Sequence, residues 1–123
     1  MNDNARKYDL EKRLIAFAVS IINVAEALPD NRIGSHVAGQ MLRSGTSAAP
    51  NYGEAQSAES RKDFIHKMKI ALKELRETRV WLMIALQKSL CRPSAKVECL
   101  LSECIELIRI FAKNIKTAES VSK

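Results

Sequence analysis

Apolar residues recur along four stretches of the chain at alternating steps of three and four, the spacing of amphipathic helices. The first stripe runs from Leu10 to Leu28, and Asp9 is its expected N-cap. The second stretch begins between Asp30 and Ser35. It is rich in small residues and contains Pro50, which predicts a kink inside that helix.

The third stripe lies between Phe64 and Leu82, with Ser60 as its expected N-cap, and the fourth lies between Val97 and Ile115. Amphipathic segments with short connections pack as antiparallel neighbours. The pattern therefore predicts an all-α protein, an antiparallel up-and-down four-helix bundle over residues 9–117. Residues 1–8 are expected to form a flexible N-terminal arm, and residues 118–123 a frayed C-terminus.

The excess positive charge is concentrated on the third helix. The chain of 123 residues carries a net charge of +6, and only 5% of its residues are aromatic. From Arg61 to Arg92 there are nine basic and three acidic residues, whereas the remainder has 11 of each. A localised basic surface indicates an anionic partner more than an even distribution would.

Several classes of protein are disfavoured by the composition. The N-terminal residues lack the apolar core of a secretory signal, and the longest uncharged apolar run is too short to span a bilayer, so a cytoplasmic protein without membrane contact is expected. The cysteines Cys91, Cys99 and Cys104 have no metal-binding spacing and suggest reduced thiols. We therefore expect no cofactor and no metal site.

Four basic residues share one sector of the third helix and are called here the basic ridge: Lys62, Lys69, Lys73 and Arg76. One interpretation is an ordinary solvated face, because such faces are common in helical bundles. The other is a stripe that contacts phosphates of nucleic acid, with strong salt dependence and little reading of sequence. Aromatic residues do not alternate with the ridge, so recognition of single strands by base stacking is not indicated.

Two further sets of side chains have both a structural and a functional interpretation. Ile70, Trp81 and Ile84 align nearly opposite the core stripe of the third helix, which favours self-association over an irregular surface. A polar run around Pro50 has near-helical spacing: Arg43, Ser47, Asn51 and Glu54. Its structural interpretation is that the small polar side chains satisfy the carbonyl freed by the proline, and that Arg43 pairs with Glu54 or another acid. Its functional interpretation is a ligand site or an interface.

Arg61 and His66 form an Arg-x4-His pattern that is similar to the motif of HEPN-type ribonucleases, which are also helical bundles. In that family the two residues act on the 2′-hydroxyl and the scissile phosphate. On a regular helix these two side chains point about 140° apart. The alternative is that Arg61 is a surface residue of the first turn and that His66 flanks the basic ridge.

Several segments together resemble the bacterial four helix bundle protein family, which includes proteins encoded in intervening sequences of 23S rRNA genes. These segments are Gln40–Ser47, Asn51–Ala55, Asp63–Lys67, Lys73–Thr78 and Trp81-Leu82, and the resemblance covers residues 8 to 116. It implies a ring-like homo-oligomer, commonly a pentamer, with a link to nucleic acid. A related branch, the accessory variability proteins of diversity-generating retroelements, binds RNA or DNA and a reverse transcriptase.

The resemblance supplies no catalytic residues, and Gly53 stands where many relatives carry a larger residue. We therefore expect a non-enzymatic homo-oligomer that binds RNA or DNA through the basic ridge. The alternatives are a protein-interaction scaffold without nucleic-acid binding and, more distantly, a HEPN-like ribonuclease.

Overall fold

The computed structural model describes the backbone of residues 3–121 and the side chains of residues 9–121. Over this range the chain forms five helical segments: α1 (Asp3–Ala27), α2 (Arg32–Gly45), α3 (Ala48–Gln56), α4 (Arg61–Gln87) and α5 (Ala95–Val121). Since α2 and α3 follow one another along one side of the molecule, they make a single broken leg. The predicted four-helix bundle is confirmed.

Each leg packs against the leg before it and the leg after it. The α2–α3 leg contacts α1 and α4, and α5 contacts α4 and α1, so α1 and α4 occupy diagonally opposite corners. Contacts between the α2–α3 leg and α4 run in reverse order, because Arg43 pairs with Glu77 whereas Glu54 pairs with Lys67. This reversal is the antiparallel arrangement that short connections impose.

The core is built from the stripes that the sequence predicts. Leu14 and Ile21 of α1, Met68 and Leu75 of α4, and Phe111 of α5 are all at most 2% exposed. These side chains, with their neighbours along each stripe, form one apolar cluster through the length of the bundle. Burial of apolar surface on this scale is the main force that holds the legs together.

The predicted kink at Pro50 is wrong in position, because the leg breaks earlier, at Thr46 and Ser47. A proline excludes the amide of its own residue from bonding and clashes with the carbonyl four residues before it. That carbonyl belongs to Thr46, so the regular bonding pattern fails one turn ahead of the proline. Pro50 itself lies in the first turn of α3, where a missing amide is tolerated.

Both ends of the bundle are more helical than the sequence pattern predicts. Helix α1 begins at Asp3, so most of the expected arm over residues 1–8 is helical, and Asp9 lies inside the helix and is not its cap. Helix α5 continues to Val121, through most of the expected frayed end. Neither segment contains glycine or proline, and each includes good helix formers, Ala5, Arg6 and Lys7 in the first and Ala118 and Glu119 in the second. Residues 1, 2, 122 and 123 lie outside the described part of the chain.

A glycine is required where the chain passes from α1 to α2. The side chain of Asn31 caps α2 by accepting a hydrogen bond from the Gly34 amide at 2.9 Å. This cap brings the α-carbon of Gly34 against Pro29, and a β-carbon at Gly34 would lie 1.9 Å from the Pro29 carbonyl oxygen. Only a residue without a side chain fits this approach.

Candidate nucleic-acid interface on α4

The basic ridge is a solvent-exposed stripe on the outer face of α4. Lys62, Lys69, Lys73 and Arg76 are each exposed. From Lys62 to Arg76 the helix rises by about 21 Å, because each residue adds about 1.5 Å. The structure therefore places the four predicted residues together, and each side chain is accessible to a partner.

The ridge forms one wall of a groove between α4 and α5. The groove has a volume of about 660 Å³, and Lys69, Lys73 and Arg76 line it from α4. Lys116 lines it from the opposite wall, on α5. Sequence reasoning missed Lys116 because α5 is balanced in charge and its orientation towards α4 depends on tertiary packing.

An acidic residue lies within the same groove. Glu119 of α5 forms a salt bridge with Lys69, with 3.1 Å between Oε2 and Nζ. Both side chains are about half exposed, at 49% and 56%. A pair this accessible to water contributes little to stability, and either group remains open to another partner. Glu119 is thus an internal counter-ion for the ridge.

The C-terminal third of α4 is apolar on its outer face. Val80, Met83 and Ile84 are 48%, 40% and 40% exposed, and we call them the α4 apolar patch. Of the predicted self-association face, Ile84 belongs to this patch, whereas Ile70 is only partly exposed. The exposed apolar surface therefore lies nearer the end of α4 than the sequence predicts.

Trp81 is largely engaged within its own subunit. It is half-buried against the core cluster, and its ring contacts His36 of α2 edge-on, with 5.8 Å between ring centroids. Its indole N–H donates a hydrogen bond to Glu77 at 3.3 Å. Trp81 therefore fixes α4 against α2, a contact that helical periodicity on α4 alone does not show.

A second apolar patch lies on the outer face of α1. Ile15, Val19 and Ile22 follow one another at helical spacing and are 50%, 51% and 41% exposed. We call these three residues the α1 apolar patch. Since α1 and α4 occupy opposite corners of the bundle, the two patches face away from each other.

The predicted polar run does not form one network among its own members. Arg43 donates hydrogen bonds to Glu74 and Glu77 of α4, and Glu54 accepts one from Lys67 at 2.9 Å. The Arg43 guanidinium lowers the pKa of Glu77 by hydrogen bonding to its carboxylate. These contacts join the α2–α3 leg to α4 on either side of the break.

The two remaining members of that run bond to the backbone at the break. The Ser47 amide donates to the Ser44 carbonyl, so the Arg43 carbonyl loses its regular helical partner. The Ser47 hydroxyl donates to the Arg43 carbonyl instead, at 2.6 Å. The Asn51 side-chain amide donates to the Ser47 carbonyl at 2.9 Å. Neither acceptor is the Thr46 carbonyl that the proline frees, and the Ser47 carbonyl also accepts from the Asn51 backbone amide at 3.2 Å.

A buried pair of hydroxyl groups joins α2 to α4 beside this break. Ser44 and Thr78 are both 0% exposed, and their hydroxyl oxygens lie 2.9 Å apart. The Ser44 hydroxyl also donates to the Gln40 carbonyl, and the Thr78 hydroxyl lies 2.8 Å from the Glu74 carbonyl. Every buried side-chain polar atom in the described part of the chain has a partner.

Arg61 and His66 are both exposed near the beginning of α4. A continuous helix separates two residues five positions apart by about 140°, so these side chains do not converge on one point. This arrangement differs from what a shared phosphate would require. Arg61 lies in the first turn, immediately after the Ser60 cap, whose hydroxyl accepts from the Asp63 amide at 3.0 Å.

The three cysteines occupy different environments. Cys99 is exposed, whereas Cys91 and Cys104 are buried. Burial raises the pKa of Cys104 to about 12, and its thiol lies 3.3 Å from the Leu75 carbonyl oxygen. Among the described residues, no cluster of three or more histidine, cysteine or acidic side chains has the geometry to hold a metal ion. No helix in that range is long and apolar enough to cross a membrane.

Known proteins share both the sequence pattern and the fold. Residues 6–113 match the model of the family described as 23S rRNA-intervening sequence protein. A crystal structure of a protein with unknown function, from the S23 ribosomal protein family of Bacteroides thetaiotaomicron VPI-5482, is 33% identical and superimposes with a TM-score of 0.81. The match covers 89% of this chain and 97% of that one. No curated protein matches the sequence. The chain belongs to the 23S rRNA-intervening sequence protein family.

Proposed function

We propose that this protein is a non-enzymatic, homo-oligomeric scaffold that binds RNA or DNA through the basic ridge of α4. The observation that carries the proposal is the placement of Lys62, Lys69, Lys73 and Arg76 as one exposed stripe. The same helix region holds the whole net charge of the chain. Contacts of lysine and arginine with phosphates supply most of the affinity in binding that does not depend on sequence.

Binding through charge predicts a steep dependence on salt. Four phosphate contacts give a slope of about −2.8 for single strands and about −3.6 for duplex DNA when the logarithm of the affinity is plotted against the logarithm of salt concentration. Changing the four ridge residues to Glu is expected to abolish binding to labelled RNA and DNA in a fluorescence anisotropy titration. Unchanged affinity of that variant for both nucleic acids would refute the proposal.

A matched control separates the ridge from net charge in general. The control substitutions to Glu use four of the exposed basic residues that lie outside the ridge: Lys12, Arg32, Lys96 and Lys113. Either set of four reversals changes the net charge by eight, from +6 to −2. The control variant is expected to retain more affinity than the ridge variant. Equal loss in both would show that overall charge, and not the ridge, governs binding.

Self-association is the second part of the proposal, and it also stands alone as a protein-interaction scaffold that binds no nucleic acid. Exposed apolar patches often mark surfaces that bind other proteins, and this small subunit has two of them. Because they lie on opposite corners, the α1 apolar patch of one copy can meet the α4 apolar patch of another. A contact between two different surfaces can repeat from copy to copy, and the copies close into a ring when the rotation between neighbours divides a full turn. A pentameric ring is one such assembly.

The heights of the two patches along the bundle are compatible with such a contact. Ile21 of α1 packs on the end of α2, where Ser44 meets Thr78 of α4. Ile22 therefore lies within about one helical turn of the height of Val80. Copies related by rotation about an axis parallel to the bundle would bring the patches side by side.

Ile84→Glu tests this association more cleanly than Trp81→Glu, because Trp81 also packs within the subunit. The wild type is expected to sediment as an oligomer in analytical ultracentrifugation, and Ile84→Glu and Val19→Glu each to shift it towards monomer. Val121→Glu, on α5 and 58% exposed, is the control and should leave the oligomer intact. The Lys69–Glu119 salt bridge places this end of α5 beside the first half of α4, away from the α4 apolar patch. A monomeric wild type would refute self-association.

The non-enzymatic part of the proposal is supported by the divergence of Arg61 and His66. RNA incubated with the wild type is expected to stay intact. Cleavage by the wild type that His66→Ala abolishes would instead establish a ribonuclease that uses this motif.

A further inference from the structure

We infer that the phosphodiester backbone lies in the groove between α4 and α5, and that Glu119 competes with it for Lys69. This inference rests on the proposed binding of nucleic acid by the ridge, and it extends the site to a second helix. It assigns roles to two residues of α5: Lys116 contacts phosphate, and Glu119 lowers the affinity. The lining of the groove has four basic side chains and one acidic side chain, and this excess of positive charge favours a polyanion as its occupant.

The shape of the groove favours a chain of phosphates over a single anion. Lys69, Lys73 and Arg76 span about 10 Å along one wall, since the last follows the first by seven steps of about 1.5 Å. Along the axis of a duplex that distance equals about three nucleotide steps of one strand at 3.4 Å each. Lys116 stands on the other wall, so cations flank the path from two sides. A strand lying along the groove would therefore meet cations on both sides.

The floor of the groove is apolar and lies between the two charged walls. Leu72, Ala112 and Ile115 form it. Such a floor has no hydrogen-bonding side chain to read base edges, so the groove is suited to recognition without sequence preference. The low polarity of the floor also strengthens the interaction between the lysines and a bound phosphate relative to a fully solvated surface.

Glu119 occupies the position where an incoming phosphate would meet Lys69. Both side chains of its salt bridge with Lys69 are about half exposed, and such a pair changes a binding equilibrium by at most about fivefold. A phosphodiester held by several cations at once displaces it readily. Glu119 therefore reduces affinity without blocking the site, and its removal should strengthen binding.

The experiment compares single substitutions in the whole protein, with anisotropy titrations of labelled single-stranded RNA, DNA of the same sequence, and the duplex. Lys116→Gln is expected to weaken binding and to reduce the salt slope by about 0.7 to 0.9, the value of one lost phosphate contact. Lys116→Arg should restore both. Glu119→Gln is expected to tighten binding by about two- to fivefold.

Two controls on the same helix match these changes. Lys113→Gln removes a lysine three residues from Lys116 that does not line the groove, and Glu106→Gln removes an acid of similar exposure, 47%, away from it. Both controls are expected to bind like the wild type. All of these residues lie on the surface, and circular dichroism of each variant checks that the bundle is intact.

The outcomes separate this inference from the proposed function. If the wild type binds and the ridge variant does not, but Lys116→Gln and Glu119→Gln behave like their controls, the ridge stands and the groove is refuted. If the wild type binds neither nucleic acid, the proposed function fails and the groove has no such ligand. Weaker binding by Lys116→Gln together with tighter binding by Glu119→Gln would establish the groove.

Discussion

Gly34 and Gly39 lie on the same helix, α2, yet replacing each with alanine is expected to change stability in opposite directions. At Gly39 an added β-carbon would meet no heavy atom within 4 Å. Alanine there removes the backbone freedom that glycine has in the unfolded chain. Gly39→Ala should therefore stabilise the protein by about 0.5 to 1 kcal/mol.

At Gly34 the same helical gain is outweighed by a collision with backbone. The added β-carbon would lie 1.9 Å from the Pro29 carbonyl oxygen and 2.8 Å from the carbonyl carbon. To reach a tolerable contact the chain at Pro29 must shift by about 1 Å, an overpacking cost of about 1 to 3 kcal/mol. That shift also strains the Asn31 cap, worth about 1 kcal/mol. The net expectation is a destabilisation of about 1 to 3 kcal/mol.

Urea unfolding followed by far-ultraviolet circular dichroism measures both variants. All samples must be at one protein concentration, because association of subunits adds to apparent stability. The midpoint should fall for Gly34→Ala and rise for Gly39→Ala, with similar slopes for both, since neither change alters the surface exposed on unfolding. A midpoint for Gly34→Ala at or above that of the wild type would refute the reasoning about the Pro29 contact.

Three further predictions concern single side chains. A thiol reagent at neutral pH should modify Cys99 rapidly, and Cys104, whose pKa is raised to about 12, only on unfolding; a fast phase that persists in Cys99→Ser would contradict this. Because Arg43 lowers the pKa of Glu77, their pairing stabilises the fold above the unfolded-state pKa and is lost as pH falls through the folded-state value. Arg43→Gln should thus be less stable than the wild type at neutral pH but equally stable in acid; urea midpoints across pH would show a persisting gap if the reasoning is wrong. Thr78→Val removes a buried hydroxyl, but its partner Ser44 still donates to the Gln40 carbonyl. The free energy of unfolding should therefore fall by about 1 kcal/mol in thermal unfolding, and an unchanged stability would contradict this.

The four legs could be predicted from the sequence because each stripe is a property of one helix. Leu14, Met68 and Phe111 are buried where helical periodicity places them. The position of the break was not predicted correctly, because Pro50 acts through a carbonyl four residues earlier and the pattern locates only the proline itself. The two ends were predicted too short because the apolar stripes stop before the helix-forming residues do.

The candidate site, too, has one part that could be predicted from the sequence and one part that could not. The basic ridge lies on one helix, so helical periodicity was enough to assemble its four members. The positions of Lys116 and Glu119 beside that ridge depend on how α5 rotates against α4, and the spacing of residues along the chain does not determine that rotation. The same holds for the pairing of Arg13 on α1 with Glu103 on α5, 2.7 Å apart. Periodicity along one helix therefore does not determine the salt bridges between helices.

The outer face of α4 is basic over its first two-thirds and apolar over its last third, and this separation has a consequence for avidity. Copies joined through the Val80–Ile84 end would all present their cations towards the same rim of an assembly. A nucleic acid held by one subunit would then be at high effective concentration for the next one. Weak contacts at each subunit, repeated around the rim, would add up to tight retention of long strands and brief retention of short ones.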